Sequence, residues 1–221
     1  MLEFFRGGSE GTLQQVAVDV QEMLSECRHT FDLANAALFG GSAAAVHDEV
    51  KETDRGVNKR ERAVRKALVV HVSVHGTRTD LPMVLGTMSI VKDAERIGDY
   101  AKNIWDLADA GVDFSEAPDL DRLAHYRDRT SRLVSSSARV FSDRDAEAAH
   151  GLIGEADEWQ SEYDDFVGEQ LTSEGPARDA VSRALYARYL KRITAHAINV
   201  LTLLVMPVHR LDYYDEDRAD R

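Results

Sequence analysis

Four prolines in 221 residues, at positions 82, 118, 176 and 207, leave the chain almost free of residues that stop a helix, and this scarcity constrains its fold most strongly. The glycines cluster in a few places, so the intervals between them can stay helical. Apolar residues inside those intervals keep helical spacing. Val16, Val20, Met23, Cys27, Phe31, Ala34 and Leu38 recur every three or four positions, which holds one face apolar over about seven turns. Phe39 to Ser42 ends that helix and supplies an N-cap for a second, where Val46, Val50, Val57, Val64 and Leu68 form a heptad-like stripe running to about His75. After a turn at 76–80, Pro82 suits a first-turn position, and Met88, Ile90, Val91, Ile97 and Ile104 carry a third helix to about Ala110.

Beyond the loop 111–119 the pattern returns. One helix reaches about Phe141, another spans 145–171, Gly175-Pro176 breaks the chain, and a last helix ends near Val208. The fold class expected is all-α, two tandem three-helix bundles: a flexible N-terminus at 1–11, a first repeat at 12–111, a second at 119–209 and a polar tail at 210–221. Residue identity supports the repeat. Ala43, Ala45, His47, Glu52 and Asp54 align with Ala146, Ala148, His150, Glu155 and Asp157, and Arg96-Ile97, Ala101 and Asn103 align with Arg192-Ile193, Ala197 and Asn199.

A net charge of -12 argues against nucleic acid as partner, since that affinity comes from Lys and Arg neutralising phosphates. The single Cys27, set among Met23, Leu24 and Phe31, reads as a small buried hydrophobe and favours a reducing, cytoplasmic compartment. The N-terminal residues lack the apolar run of a secretory signal. The longest apolar stretch, 198–208, is too short to span a membrane, so a soluble chain peripheral to any membrane is expected.

On helix 3, Glu95, Asp99 and Asn103 fall at i, i+4 and i+8 and share one face, with Ile90, Ile97 and Ile104 on roughly the opposite one. Asp54 and Asn58, four apart on helix 2, join them if the two helices pack as antiparallel neighbours. Oxygen donors gathered in this way suit a hard or borderline cation, because carboxylates at i, i+4 repel unless something positive lies between them. The competing reading pairs Glu95 and Asp99 with Lys92, Arg96 or Lys102 on a solvated face. The second repeat carries Lys191 and Ala195 at the matching positions, which argues against a metal there despite Asp157.

The stretch from Ile90 to Ile104, with Glu95-Arg-Ile-Gly-Asp99 and then Asn103, resembles the signature of the PhoU family, and Asp54-Arg-Gly-Val-Asn58-Lys-Arg-Glu61 resembles its helix 2 pattern. The resemblance extends from about Thr12 to Val208. It implies tandem three-helix bundles that regulate phosphate uptake and phosphate signalling without being enzymes, often as homodimers, beside a phosphate transporter subunit or sensor histidine kinase at the cytoplasmic membrane face. It also implies iron, zinc or manganese at acidic motifs of the Glu95/Asp99 type. Leu81-Pro82 departs from the Leu-Arg that family members often carry early in helix 3.

Other signals are weaker. Glu26/His29 and Glu147/His150 have the Glu-x-x-His spacing of di-metal carboxylate enzymes, but the first pair has no preceding Glu-bearing helix. His71 and His75 share a face without an evident third ligand. No glycine loop suited to cradling phosphate occurs, and Ser135 to Ser137 lack a His or Asp at a nucleophile's spacing. The rival functions are a helical adaptor for a different ion transporter and, behind it, a di-metal enzyme.

Overall fold

A computed structural model describes residues 2–76, 79–211 and 213–215. Within them the chain forms six long helices: α1 Leu2–Leu38, α2 Ala43–His75, α3 Leu81–Asp109, α4 Leu120–Asp143, α5 Ala146–Leu171 and α6 Ala177–Val205. The all-α expectation holds, and the boundaries between helices fall where turn chemistry places them. Ser42, Asp80 and Asp145 each accept a hydrogen bond from the amide three residues on, at 3.3, 3.2 and 3.0 Å, satisfying an N–H that no intrahelical carbonyl can reach. Gly40 leaves α1 with φ 102°, a conformation that favours glycine.

The N-terminus differs from expectation, because α1 starts at Leu2 and not near Thr12. Gly7, Gly8 and Gly11 each cost about 1 kcal/mol of helix propensity relative to alanine. The packed turns downstream have already borne the cost of nucleation, so the helix continues backwards through them. At the other end α6 stops at Val205, three residues early, because Pro207 provides no N–H to continue it. The expected polar tail begins with a docked residue: Leu211 is buried and its carbonyl accepts from the Thr202 hydroxyl at 2.8 Å. Beyond Asp215 the tail lies outside the described residues.

The predicted α1 stripe from Val16 to Leu38 is buried throughout, including Cys27. Each large apolar side chain so removed from water contributes about 1.5–3 kcal/mol. α2 packs against both α1 and α3, and α5 against α6 and, less closely, α4, which gives the two three-helix sets. Across the sets α1 meets α4 and α3 meets α6, so one apolar core runs through both. α6 shows this best, since every residue from Ile193 to Thr202 is buried, as expected for a helix surrounded on all sides. The connection between repeats is docked as well. Phe114 donates its amide to the Leu38 carbonyl at 2.8 Å and packs edge-on against Phe39 and Tyr186.

Candidate functional site: the acidic stripe and the seam between repeats

Gly98 lets the signature segment of α3 lie close to its neighbours. A methyl built there would come within 3.2 Å of the Cys27 Sγ and 3.8 Å of a Val57 methyl, so α3 packs here almost backbone to side chain against α1 and α2. The Cys27 thiol donates to the Ala94 carbonyl at 3.2 Å, and burial, followed by the charge of Glu26, pushes its pKa far above the ordinary thiol range. It is a packing residue. With Ile97 and Ile104 turned into the core, Glu95 and Asp99 emerge on the flank that borders α2.

Glu95 is buried, and the Lys92 ammonium lies 2.6 Å from its carboxylate. Asp99 is partly exposed and accepts from Arg96 at 3.1 Å. Asp54 comes across from α2 and accepts from Lys102 at 3.2 Å, which ties the two helices together. Asn58 and Asn103 are half-buried beside this line. Burial raises the Asp99 carboxyl above the ordinary range, and the neighbouring negative charges of Glu95 and Asp54 add to that rise against the pull of Arg96 and Lys102. Asp54, Glu95 and Asp99 are therefore brought close enough to feel one another. Each also has a cation from the chain itself, and among the described residues no three His, Cys, Asp or Glu side chains converge as a ready ligand set. The oxygen donors suit a hard or borderline ion in kind. Their present arrangement is balanced by lysine and arginine.

The matching face of the second repeat is built otherwise. Lys191 pairs with Asp164 of α5 and Ala195 is buried, so no acidic stripe forms there. The set-aside pair on α1 is likewise committed to separate partners: Glu26 accepts from Arg60 at 3.0 Å, while the His29 ring lies 2.6 Å from Glu49.

One polar group escaped the sequence reading. Asp93 is buried in the seam between α3 and α6, where its carboxylate lies 2.8 Å from His196 Nδ1 and accepts from Asn199 at 3.2 Å. The signal was present, since Asp93 falls between Ile90 and Ile97 on the core spacing, where an acid needs a partner. Under the repeat alignment, Asp93 corresponds to Tyr189 and Tyr100 to His196. The seam pairs Asp93 with His196 and, in the reverse sense, Tyr100 with Tyr189, whose ring centroids are 6.0 Å apart. Two equivalent helices thus meet as if across a two-fold axis, with a polar pair on one side and an aromatic pair on the other.

Comparison with known proteins agrees with this architecture. Residues 20–108, nearly all of the first repeat, match the family model of the PhoU domain. A phosphate-specific transport system accessory protein PhoU homolog from Synechocystis is 25% identical over 197 residues, covering 86% of this chain and 87% of its own length. A homolog with the same description from Pseudomonas aeruginosa is 26% identical over 187 residues, covering 82% of this chain and 76% of its own. In fold, the chain is similar to the crystal structure of PhoU from Pseudomonas aeruginosa, with a TM-score of 0.79, 21% identity, and 91% of this chain and 98% of that one covered. It also resembles the phosphate transport system regulatory protein PhoU from Streptococcus pneumoniae, with a TM-score of 0.69, 14% identity, and 96% and 97% covered. The Glu95-to-Asp99 signature on α3, the matched first repeat, the relatives along most of the chain and the shared six-helix fold agree: residues 20–108 match the PhoU domain, and the chain as a whole is similar to PhoU proteins.

Proposed function

We propose that this chain is a regulator of phosphate uptake and phosphate-responsive signalling. It acts on the cytoplasmic side of the membrane, as a homodimer, by binding a transporter subunit or a sensor histidine kinase and biasing which state that partner occupies. The observation that carries this reading is the first-repeat stripe of Asp54, Glu95 and Asp99, held on the segment that matches the family. No helix among the described residues is long and apolar enough to cross a membrane, which suits a peripheral role. Nothing in the proposed action is catalytic: the chain offers a shaped, charged surface, and the partner does the transport or the phosphoryl transfer.

Iron, zinc or manganese at the stripe belongs to the proposal as a separate element. An ion there would have to displace Lys92 from Glu95 and Arg96 from Asp99, so docking through surface charge does not depend on it. In the host of this gene, deletion is expected to uncouple phosphate uptake from external phosphate. Wild type should restore the coupling, and a Glu95→Lys/Asp99→Lys copy, folded by circular dichroism, should fail to. Uptake that ignores the deletion would sink the reading. One observation favours a second reading, an adaptor for a different ion transporter: the family model stops at residue 108, and the second repeat has lost the acidic pair. Uptake assays with other ions in the deletion strain separate the two.

A further inference from the structure

About 25 Å along α2 from Asp54, by the rise of 1.5 Å per residue, lies a site that the phosphate regulator reading does not use. His71 is buried to 2% exposure, and neither of its ring nitrogens has a hydrogen-bond partner. A buried polar group left unsatisfied is costly, so native structures rarely keep one without a reason. His75 follows one turn later, with its ring centroid 4.7 Å from that of His71. Both rings line a groove of about 460 Å³, whose other walls are Thr12, Ala63, Lys66, Ala67, Val70 and Val74.

Burial, and then the charge of His75, holds the His71 pKa below the ordinary imidazole range, so at neutral pH the ring is uncharged and keeps a free lone pair. Two imidazoles one helical turn apart can place a nitrogen each on one ion, at the bond lengths of about 2.0–2.1 Å that zinc takes to histidine. The described walls of the groove carry no carboxylate, which disfavours calcium and magnesium and favours ions that prefer nitrogen. Lys66 shares the groove, five residues before His71 and nine before His75, hence about 7.5 and 14 Å away along the helix.

We propose that His71 and His75 form a two-histidine site for a divalent ion of the zinc, nickel or copper class, with the remaining positions open to water or to a small ligand entering from the groove. One of the two unsatisfied nitrogens of His71 then has its partner. The site is independent of the acidic stripe in residues and in donor chemistry.

The test is calorimetric titration of the tag-free full chain with nickel and with zinc, alongside nitrogen-15 spectra of the imidazoles. Wild type is expected to take up about one ion per chain at this site, with the His71 and His75 nitrogens shifting together. His75→Ala, at a partly exposed position that leaves the core intact, should weaken binding roughly tenfold or more, and His71→Gln should do the same. Glu95→Gln/Asp99→Asn should leave it unchanged. Binding that survives His75→Ala, binding that vanishes in the Glu95/Asp99 variant, or no uptake by wild type at millimolar ion each overturns the proposal.

Discussion

The two repeats share a scaffold and solve its polar problem in opposite ways. In the first, the third helix carries a pair of acids on the flank facing α2, Glu95 buried and Asp99 partly exposed, and its close approach to α1 is made by Gly98 against Cys27. In the second, the same positions are Lys191, Ala195 and Thr194, and the buried charge has moved to the first helix of the set, where Arg129 is 3% exposed. Its guanidinium donates to the Tyr163 hydroxyl at 2.9 Å, pairs with Glu162, and stacks over the rings of Tyr126, Trp159 and Tyr163. One repeat sets its acids beside lysine and arginine along the border of α2 and α3, and the other encloses an arginine among aromatic rings. A helical triplet needs a filled core and capped helices to fold. Which polar groups it carries, and where, is free to diverge, and here the acidic signature stays with the first repeat alone.

The largest effect should come from the enclosed charge. Arg129→Ala leaves a void between three rings and is expected to cost about 2–4 kcal/mol in denaturant melts. Arg129→Met, which fills the same space without the charge, should cost about 1 kcal/mol, because Glu162 is half-exposed and does not need its partner. Equal losses in the two variants would mean that the hydrogen bonds to Tyr163, not the packing, hold the second repeat together.

A substitution that carries the second repeat's residue into the first sharpens the contrast. Gly98→Thr places a branched side chain where a methyl alone already approaches the Cys27 Sγ to 3.2 Å. It should destabilise by about 1–3 kcal/mol, the usual range for overpacking. Cys27→Ala in the same chain should recover a good part of that loss, since the obstacle is one sulfur atom. If the double variant is no better than Gly98→Thr alone, Val57 and the backbone of α1, not Cys27, set the spacing.

The helices were legible because their evidence is local: proline scarcity, three-and-four apolar spacing, and the caps at Ser42 and Asp145 are all written in a few consecutive residues. Asp54 could be placed beside Asp99 because antiparallel packing of α2 and α3 follows from a short turn. Three things were not legible. Lys92, Arg96 and Lys102 were recognised as rivals for the acids, but which rotamer each takes depends on three-dimensional packing. The seam of Asp93, His196 and Asn199 joins residues more than a hundred positions apart, and no spacing rule reaches that far. His71 and His75 could be read only as sharing a face without a third ligand, because only tertiary structure buries the His71 ring and leaves both its nitrogens unpartnered.

The smallest expected effect tests the acidic stripe itself, and its sign is informative. Burial and the charges of Glu95 and Asp54 raise the Asp99 pKa in the folded chain above its ordinary value, despite Arg96 and Lys102. A group with a raised folded pKa favours folding while it is protonated, and that advantage is lost as the pH climbs through the folded value. At neutral pH Asp99 is therefore a net strain on the fold. Asp99→Asn should raise the melting temperature slightly at pH 7, and the gain should shrink as the pH is lowered below the carboxylate range. Ala195 at the matching position carries no such charge, so the second repeat has no counterpart to this dependence. An Asp99→Asn chain that melts lower at pH 7 would show that the bond from Arg96 outweighs the crowding of acids. A wild-type chain whose stability rises on adding zinc or iron, where Asp99→Asn does not respond, would show that the strain is held in place for an ion.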